Sequence, residues 1–599
     1  MADYETHEFD VVVVGAGGAG LRAAIEASAA GARTALVCKS LLGKAHTVMA
    51  EGGIAAALGT VYPEDSWKVH FRDTMRGGKM LNNWRMAQIH AQEAPARVLE
   101  LEAWGALFDR TKDGRILQRD FGGHRYARLA HVGDRTGLEM IRTLQQHAVH
   151  NGIDVFMECS ISRLLKDGDR IAGALGYWLE SGDLVLFKAK AVVLATGGVG
   201  KAFKITSNSW EYTGDGHSLA YRAGADLIDM EFVQFHPTGM VWPPSVRGIL
   251  VTEGVRGDGG TLRNSQGERF MFQYIPEFFR AETAETEEEA DRWYEDRQNY
   301  RRTPDLLPRD EVARAIHAEV KAGRGSPHGG VFLDIAGRRS PDYIRQRLPS
   351  MYQQFKRLAD IDITTAPMEV GPTMHYIMGG IHVDPETAAA TVPGLFAAGE
   401  CAGGMHGANR LGGNSLSDLL VFGSQAGMAA AEYAKRLSGA PSINPEEVEL
   451  YAADMFGPFE RSGDENPYAI QQELQETMHN LVGIIRTQSE LEEAIERIRQ
   501  YRKRAKHTSV EGNRQYNPGW HLAMDLSSLL EVSETIAMAA LERRESRGAQ
   551  TREDYPNPSP ELGKVNVVVR MGPEGEPETS QKPLLPMPEE LQELFEETH

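Results

Sequence analysis

Residues 9–20 read FDVVVVGAGGAG, a valine run followed by Gly15, Gly17 and Gly20 on the GxGxxG spacing, and few folds accept that pattern. The valines make a short strand buried on both faces. Gly15 allows the tight turn out of it, Gly17 lets a pyrophosphate approach the backbone, and Gly20 lets the next helix pack close to the strand. The first N–H groups of that helix then face the phosphates. A glycine-rich turn that serves packing alone is the plain alternative. Residues 33–38 (RTALVC) read as the second strand, which ends in Cys38, Lys39 and Ser40. A dinucleotide fold of the ordinary kind places an Asp or Glu there, on the ribose hydroxyls. The missing acid disfavours NAD and leaves FAD open, with Lys39 set to meet the adenosine or phosphates from the side.

At 599 residues the chain exceeds one hydrophobic core, so roughly two to four domains are expected. A formal net charge of −20 disfavours nucleic acid as a partner while permitting a local cationic pocket. Cys38, Cys159 and Cys401 are widely spaced. Neither a disulfide framework nor a cluster-binding run is expected, so the chain should carry no metal or iron–sulfur centre and work in a reducing compartment. No apolar run approaches the ~18 residues of a membrane span. The N-terminal MADYETHEFD resembles neither a signal nor a transit peptide, so any membrane link is expected through a partner.

Residues 9–38 read strand–helix–strand, 41–60 as a Gly- and Ala-rich loop, and 82–104 as helix. Residues 152–194 hold short alternating segments with turns at Asp167–Gly168 and Ser181–Gly182. They lead into AVVLATGGVG (191–200), a buried strand ending in a glycine turn, and GLFAAGE (394–400) repeats that design. Three such segments, far apart in the chain, predict one sheet whose carboxyl-end loops converge on a ligand. Between the second and third lies a different region, 240–365, with Pro243–Pro244, RGDGG (256–260), NSQGERF (264–270) and the charged block AETAETEEEADRWYEDRQNYRR (281–302). It reads as an inserted domain covering the nucleotide domain, and the block as a solvated helix with its acids outward. From 441 the pattern turns helical, with ELEEAIERIRQYRKR as one long amphipathic helix and another within 519–545. The tail 557–599, rich in Pro and Glu, reads as peripheral, with a strand-like VNVVVRM inside it.

Polar clusters sit in glycine-rich settings. In KAHTVMAEGGIAAALG (44–59), His46 precedes Gly52 and Gly53; a surface-loop histidine is the plain alternative. EFVQFHPTG (231–239) holds His236 at a strand end, and in LVTEGVRGDGG (250–260) Thr252 and Glu253 also end a strand. In LLPRDEVARAI (306–316), Arg309 stands at a helix mouth, a poor place for a cation that served only stability. Pairing with Asp310 or Glu311 is the alternative there. PTMHYIMGGI (372–381) and GGMHGANRLGGNSL (403–416) place His375, Arg410 and Asn414 among glycines. Two arginines and two histidines in ligand-facing loops suit a small dicarboxylate, whose desolvation cost bidentate Arg contacts and His donors offset.

These motifs, with VVVVGAGGAGLRAA, ATGGVG, TGDGHSLAYRAGA (213–225), NRLGGNSL and ESRGAQTREDYP (545–556), resemble over nearly the whole chain those of the flavoprotein subunit of succinate dehydrogenase and fumarate reductase. The resemblance implies an α/β fold, with a Rossmann-like FAD-binding domain (1–239 and 366–440) and an inserted α+β capping domain (240–365). A helical domain (441–545) and a C-terminal domain (546–599) follow. It implies FAD attached covalently through His46 at the flavin 8α-methyl. Further cofactor contacts would be Gly15, Gly17, Gly20, Lys39, Ser40, Thr47, Gly52, Gly53, Asp215, Glu400, Arg410, Ser415 and Leu416. The dicarboxylate would meet His236, Thr252, His375 and Arg410, and Arg309 would be the catalytic proton-transfer residue.

The family's partners are an iron–sulfur subunit, and through it the membrane-anchor subunits that reach quinone. The resemblance thus makes this chain a peripheral subunit of respiratory complex II on the cytoplasmic face of a bacterial plasma membrane, serving the tricarboxylic acid cycle and electron transport. The implied reaction oxidises succinate to fumarate: one methylene carbon gives a hydride to flavin N5 and its neighbour a proton to Arg309. An arginine with a pKa above about 12 needs a relay through nearby acids to act as a base. The fumarate-reducing direction and L-aspartate oxidase, which shares the fold but lacks the covalent histidine, are the alternatives. A soluble fumarate reductase would need its own donor domain, and no CxxCH is present. A non-enzymatic subunit would leave the polar clusters without a common ligand. The sequence departs from the family in the charged block before Arg309, in Gln550 where SRGAH is usual, and in LLGKAHT before the flavin histidine.

Overall fold

The computed structural model describes residues 4–463 and 465–596. Its largest sheet has seven strands. Six run in the order Asp154–Phe156, Thr34–Val37, Tyr4–Val14, Leu184–Leu194, Arg170–Trp178, Cys159–Asp167, and Leu395–Ala397 also pairs with Leu184–Leu194. Val11, Val12 and Val13 are fully buried, as a parallel strand covered on both faces requires. Tyr4–Val14 pairs in parallel with both neighbours, so that Val14 lies opposite Val37 and Leu194, and Leu194 opposite Ala397. That register brings the three glycine-ended segments out side by side at one edge.

Gly15, at φ 109°, makes the sharp turn at this edge. The helix Gly18–Ala29 then returns along the sheet against the helix Asn414–Arg436. A Cβ on Gly20 would stand 1.7 Å from the Gly15 carbonyl oxygen, and one on Gly427 2.1 Å from that of Ala23. Glycine at these two places lets the helix touch the turn on one side and its partner helix on the other.

A second sheet is antiparallel, in the order Val233–Met240, Met368–Ile377, Val331–Asp334, Thr261–Arg263. The helix Arg309–Lys321 packs on its first two strands. An apolar cluster of its own, including Met240, Val255, Leu262, Ile316, Leu333 and Phe355, fills the space between them. A small layer of Ile54–Ala55, Leu129–Ala130 and Gln118–Arg119 lies apart from both sheets.

The helical region holds Pro445–Glu460, Pro467–Leu481, Gln488–Ala505 and Pro518–Glu542. Three of these open on an Asn-Pro pair: Asn444, Asn466 and Asn517 each accept a first-turn backbone N–H, while proline occupies a position that needs none. In Gln488–Ala505 the stripe Leu491, Ala494, Ile495, Ile498 and Tyr501 is buried, at the spacing of one helix face.

Two readings of the sequence are corrected. The block 281–302 is not one solvated helix. Its α-helix is only Glu287–Trp293, capped by Thr286, whose Oγ1 accepts from Glu289 N at 3.2 Å. Glu285, Glu287 and Glu288 do face solvent. Trp293, however, is buried, and Asp291 pairs with Arg269 and Arg338 at 2.9 and 2.7 Å. Those arginines come from elsewhere in the chain, so local charge pattern does not announce them. The tail is not peripheral either. Val565–Met571 pairs with Leu227–Ile228 on one side and Pro577–Pro583 on the other, with Val567 and Val569 fully buried.

Gly20→Ala is expected to destabilise the protein by about 1–3 kcal/mol, the usual cost of overpacking, and to lower its flavin content. Thermal unfolding and the flavin-to-protein absorbance ratio check the two effects.

Candidate active site

At the carboxyl edge of the seven-stranded sheet a cleft of about 1470 Å³, its open mouth included, crosses the Gly15 turn. That exceeds the usual pocket for a small ligand. Gly15, Gly17, Lys39, Ser40, His46, Thr47, Asp215, His375, Glu400, Arg410, Ser415 and Leu416 line it. The helix Gly18–Ala29 starts at Gly17, which offers no side-chain cap, so its positive end faces the cleft. Thr47 braces this end by accepting from Gly18 N at 3.2 Å.

Three expected cofactor contacts lie outside the cleft wall. Gly20 serves the close turn already described. A Cβ on Gly52 would stand 2.6 Å from the Phe121 ring, and one on Gly53 2.9 Å from the Ala130 carbonyl oxygen, so both allow the small β-layer to pack. Lys39 lines the cleft, but its ammonium does not offer spare donors to it. Thr213 Oγ1, Asp215 Oδ2 and Asp525 Oδ1 accept from Nζ at 3.2, 3.0 and 2.5 Å. Burial works against its charge, yet Asp215 and Asp525 more than offset this and hold the pKa above its usual value. Asp525 comes from the helical region and has no sequence signal tying it to this site.

His46 is not a surface-loop histidine. It sits edge-on to Tyr212 at 4.7 Å, accepts from Asn208 Nδ2 at 3.4 Å on Nε2, and buries an unpartnered Nδ1. Burial lowers its pKa to about 4, so the ring is neutral.

Beside this cleft the arginines and histidines converge. Gln234 Oε1 accepts from Arg309 at 3.3 Å and from Arg410 at 3.1 Å, which fixes the two guanidinium groups around one oxygen. Arg309 Nε also donates to Glu253 Oε2 at 2.9 Å. The alternative pairing of Arg309 does not occur: Asp310 and Glu311 pair with Lys79 and Arg314. Arg410 donates to Ser415 Oγ at 2.8 Å and lies over the Tyr376 ring, 4.1 Å from its centre. The His236 and His375 rings are 5.1 Å apart, the first held by the Thr238 backbone and the second with Nδ1 2.8 Å from Ser207 Oγ. Thr252, buried beside Glu253, accepts from Gly254 N at 3.2 Å.

Burial, then the neighbouring arginines, keeps the His236 pKa far below its usual value. Burial, His236 and the arginines do the same for His375. Both rings are therefore uncharged donors or acceptors, and the positive charge belongs to the arginines. Burial would raise Glu253, but Arg309 and Arg256 outweigh it and hold its carboxylate ionised. Burial, then Arg309, lowers Arg410 to about 10.

Two family models match the chain: an FAD binding domain over residues 10–416, and a fumarate reductase flavoprotein C-terminal region over 471–590. A fumarate reductase (CoM/CoB) subunit of Methanothermobacter marburgensis is 43% identical over 560 residues, covering 93% of this chain and 96% of that one. The succinate dehydrogenase flavoprotein subunit of Coxiella burnetii is 38% identical over 580 residues, covering 93% of this chain and 93% of that one. The solved structure of Mycobacterium smegmatis Sdh1 in complex with UQ1 is 58% identical, with a TM-score of 0.86 over 99% of this chain and 97% of that one. The chain belongs to the succinate dehydrogenase and fumarate reductase flavoprotein family.

It is thus an FAD-dependent oxidoreductase with a Rossmann-like FAD-binding domain and capping, helical and C-terminal domains. The cleft fits that cofactor. A cradle of glycine backbone and an uncapped helix end suit the pyrophosphate, and the buried, unpartnered His46 Nδ1 and Arg410 Nε await a polar group. Sequence reasoning missed Gln234, and it noted Glu253 without giving it a role. Gln234 had one signal, a polar side chain two residues before His236 in a strand that is otherwise read as core. Gln550, the departure from SRGAH, is buried and useful as an amide: Oε1 accepts from Arg486 while Nε2 donates to the Ala540 and Arg543 carbonyls at 2.9 and 3.1 Å.

Glu400, on the cleft wall, accepts from Ile377 N at 3.1 Å, and burial lifts its pKa from 4.5 to about 8. An acid with a raised folded pKa gives its full stabilisation below its unfolded pKa and loses it as pH climbs to the folded value. In flavin-free protein, stability should therefore fall from pH 4.5 to about 8, and Glu400→Gln should make that fall shallower. The difference is up to about 1.4 kcal/mol per pH unit, read by chemical denaturation at several pH values.

Proposed function

We propose that this chain interconverts succinate and fumarate on FAD tethered through His46. The supporting observation is the pair of guanidinium groups that meet at Gln234 Oε1, one of them salt-bridged to Glu253, beside two neutral histidines at the cleft. Arg410, His236, His375 and Thr252 would bind the two carboxylates and orient the molecule in the cleft. FAD held in the cleft would supply the two-electron chemistry at one carbon. Arg309 handles the proton at the adjacent carbon. A guanidinium is a poor base alone, and Glu253, 2.9 Å from Nε, supplies the acid that relays the proton. In the oxidative direction Glu253 draws a proton from Nε as the guanidinium takes one from carbon. In the reductive direction both transfers reverse.

The neutral, buried ring of His46 supports its role as the tether, because a protonated imidazole has no lone pair to bond carbon. For electron exit we propose an iron–sulfur subunit, then membrane-anchor subunits and quinone. The UQ1 in the 58% identical Sdh1 structure supports this path. Among the described residues no helix is long and apolar enough to cross a membrane, and we place the chain peripherally, on the cytoplasmic face. The name of the 43% identical relative favours fumarate reduction over the succinate oxidation expected from sequence, while the name of the Sdh1 structure favours oxidation. Succinate and fumarate rates of the intact complex with menaquinone and ubiquinone analogues decide between them.

Arg309→Lys is expected to keep the fold and flavin while lowering turnover in both directions by about 10²–10⁴-fold. Unchanged turnover would remove Arg309 from the chemistry. His46→Ala should abolish the acid-stable flavin fluorescence of the denatured chain while leaving FAD bound non-covalently; a fluorescent band in that variant would place the tether elsewhere.

A further inference from the structure

The charged block 281–302 does more than cover the cap. Its ends are tied together, with Arg302 N donating to Glu282 O at 3.1 Å and Ala284 N to Arg302 O at 2.8 Å. Arg301 forks onto Glu289 at 2.7 and 2.9 Å. The loop so closed holds the cap through Tyr294, whose hydroxyl donates to the Arg256 carbonyl at 2.7 Å, and through Asp291. It also presents two arginines in the other direction. Their guanidinium groups lie by the buried Trp293 ring, at 4.9 Å for Arg297 and 5.5 Å for Arg302, and both reach the carboxylate of Asp120. Asp120 belongs to neither the cap nor the charged block, and its side chain is only 3% exposed.

Asp120 begins a short run that ends at the catalytic ion pair. Arg302 donates to the Phe121 carbonyl at 3.3 Å. The next N–H, that of Gly122, donates to Glu253 Oε1 at 2.6 Å, and the other oxygen of that carboxylate holds Arg309. Gly122 is wedged in place. A Cβ there would stand 2.8 Å from Glu253 Oε1 and 2.8 and 3.1 Å from the Leu306 and Leu307 carbonyls, just before Arg309 in the chain. A shift of the 120–122 backbone therefore moves the Glu253 carboxylate or the entry to the Arg309 helix.

We propose that Arg297 and Arg302 are positioning residues for proton transfer, acting through Asp120 and the Phe121–Gly122 backbone to set how Glu253 holds Arg309. This rests on the reading of Arg309 as the proton-transfer residue. The substrate carboxylates are held by other side chains, so the block should govern turnover and not substrate affinity.

The test uses the intact complex and compares Arg302→Met, Arg297→Met, Asp120→Asn and Arg302→Lys, with Arg309→Lys as control. Flavin content, KM and kcat for succinate and fumarate, and the pH dependence of kcat are measured for each. The expected result is a fall in kcat on the order of tenfold for the first three, with a displaced pH profile, KM within about twofold and full flavin content, and partial recovery in Arg302→Lys. Unchanged kcat and pH profile in flavin-replete variants overturns the proposal. So does a joint loss of flavin, KM and kcat in all four, which assigns the block a packing role alone. If Arg309→Lys itself keeps full turnover, the reading of Arg309 fails, whatever the block variants do.

Discussion

Two buried guanidinium groups, Arg309 and Arg410, lie around a single amide oxygen, and this crowding of like charge is what the rest of the site must accommodate. Taking an ion out of water costs several kcal/mol even after relaxation. The structure offsets part of that with Glu253 on Arg309, and with Ser415 and the Tyr376 ring on Arg410. One close carboxylate against two guanidinium groups leaves the centre short of negative charge. Arg256, 4.0 Å from the same carboxylate, adds a third guanidinium, so two further negative charges would balance the centre. The three parts come from different places: Gln234 from the long strand Val233–Met240, Arg309 from the helix on the cap sheet, and Arg410 from the loop before Asn414–Arg436. The site exists only while the cap rests on the nucleotide domain.

The division of labour between arginine and histidine follows from the same field. His236 and His375 are close to the arginines and buried, so they stay neutral and give directional contacts without adding charge. The guanidinium groups supply the positive charge of the site. At the opposite end of the cleft, charge is handled within the protein: Lys39 spends its donors on Thr213, Asp215 and Asp525. Asp525 thereby ties the helical region to the nucleotide site, alongside Glu531, which accepts from Ser218 and Arg222.

Much of this was legible in the residues. The valine strand, its glycine turn and the two later strands that copy it predict a convergent sheet, because each is short, apolar and ended by glycine. The paired Asn-Pro helix starts and the buried stripe of Gln488–Ala505 are equally local. Glu253, Asp525 and Asp120 were not legible in the same way. Each is an acid whose role depends on a cation more than 50 residues away, as the 56 between Glu253 and Arg309 illustrates. The charged block misled for the same reason: Arg297 and Arg302 find Asp120, and Asp291 finds Arg269 and Arg338, none of these partners visible in local composition.

By itself the sequence determined the nucleotide turn, the Asn-Pro helix starts and the residue types able to hold a dianion, because strand burial, glycine φ and helix capping are settled within a few residues of the chain. Only the tertiary structure decided which acid meets which arginine, which segments press against Gly20, Gly52 and Gly53, and that the tail completes a sheet. Those outcomes depend on desolvation and on distances between segments remote in sequence, and neither quantity exists until the chain has closed on itself.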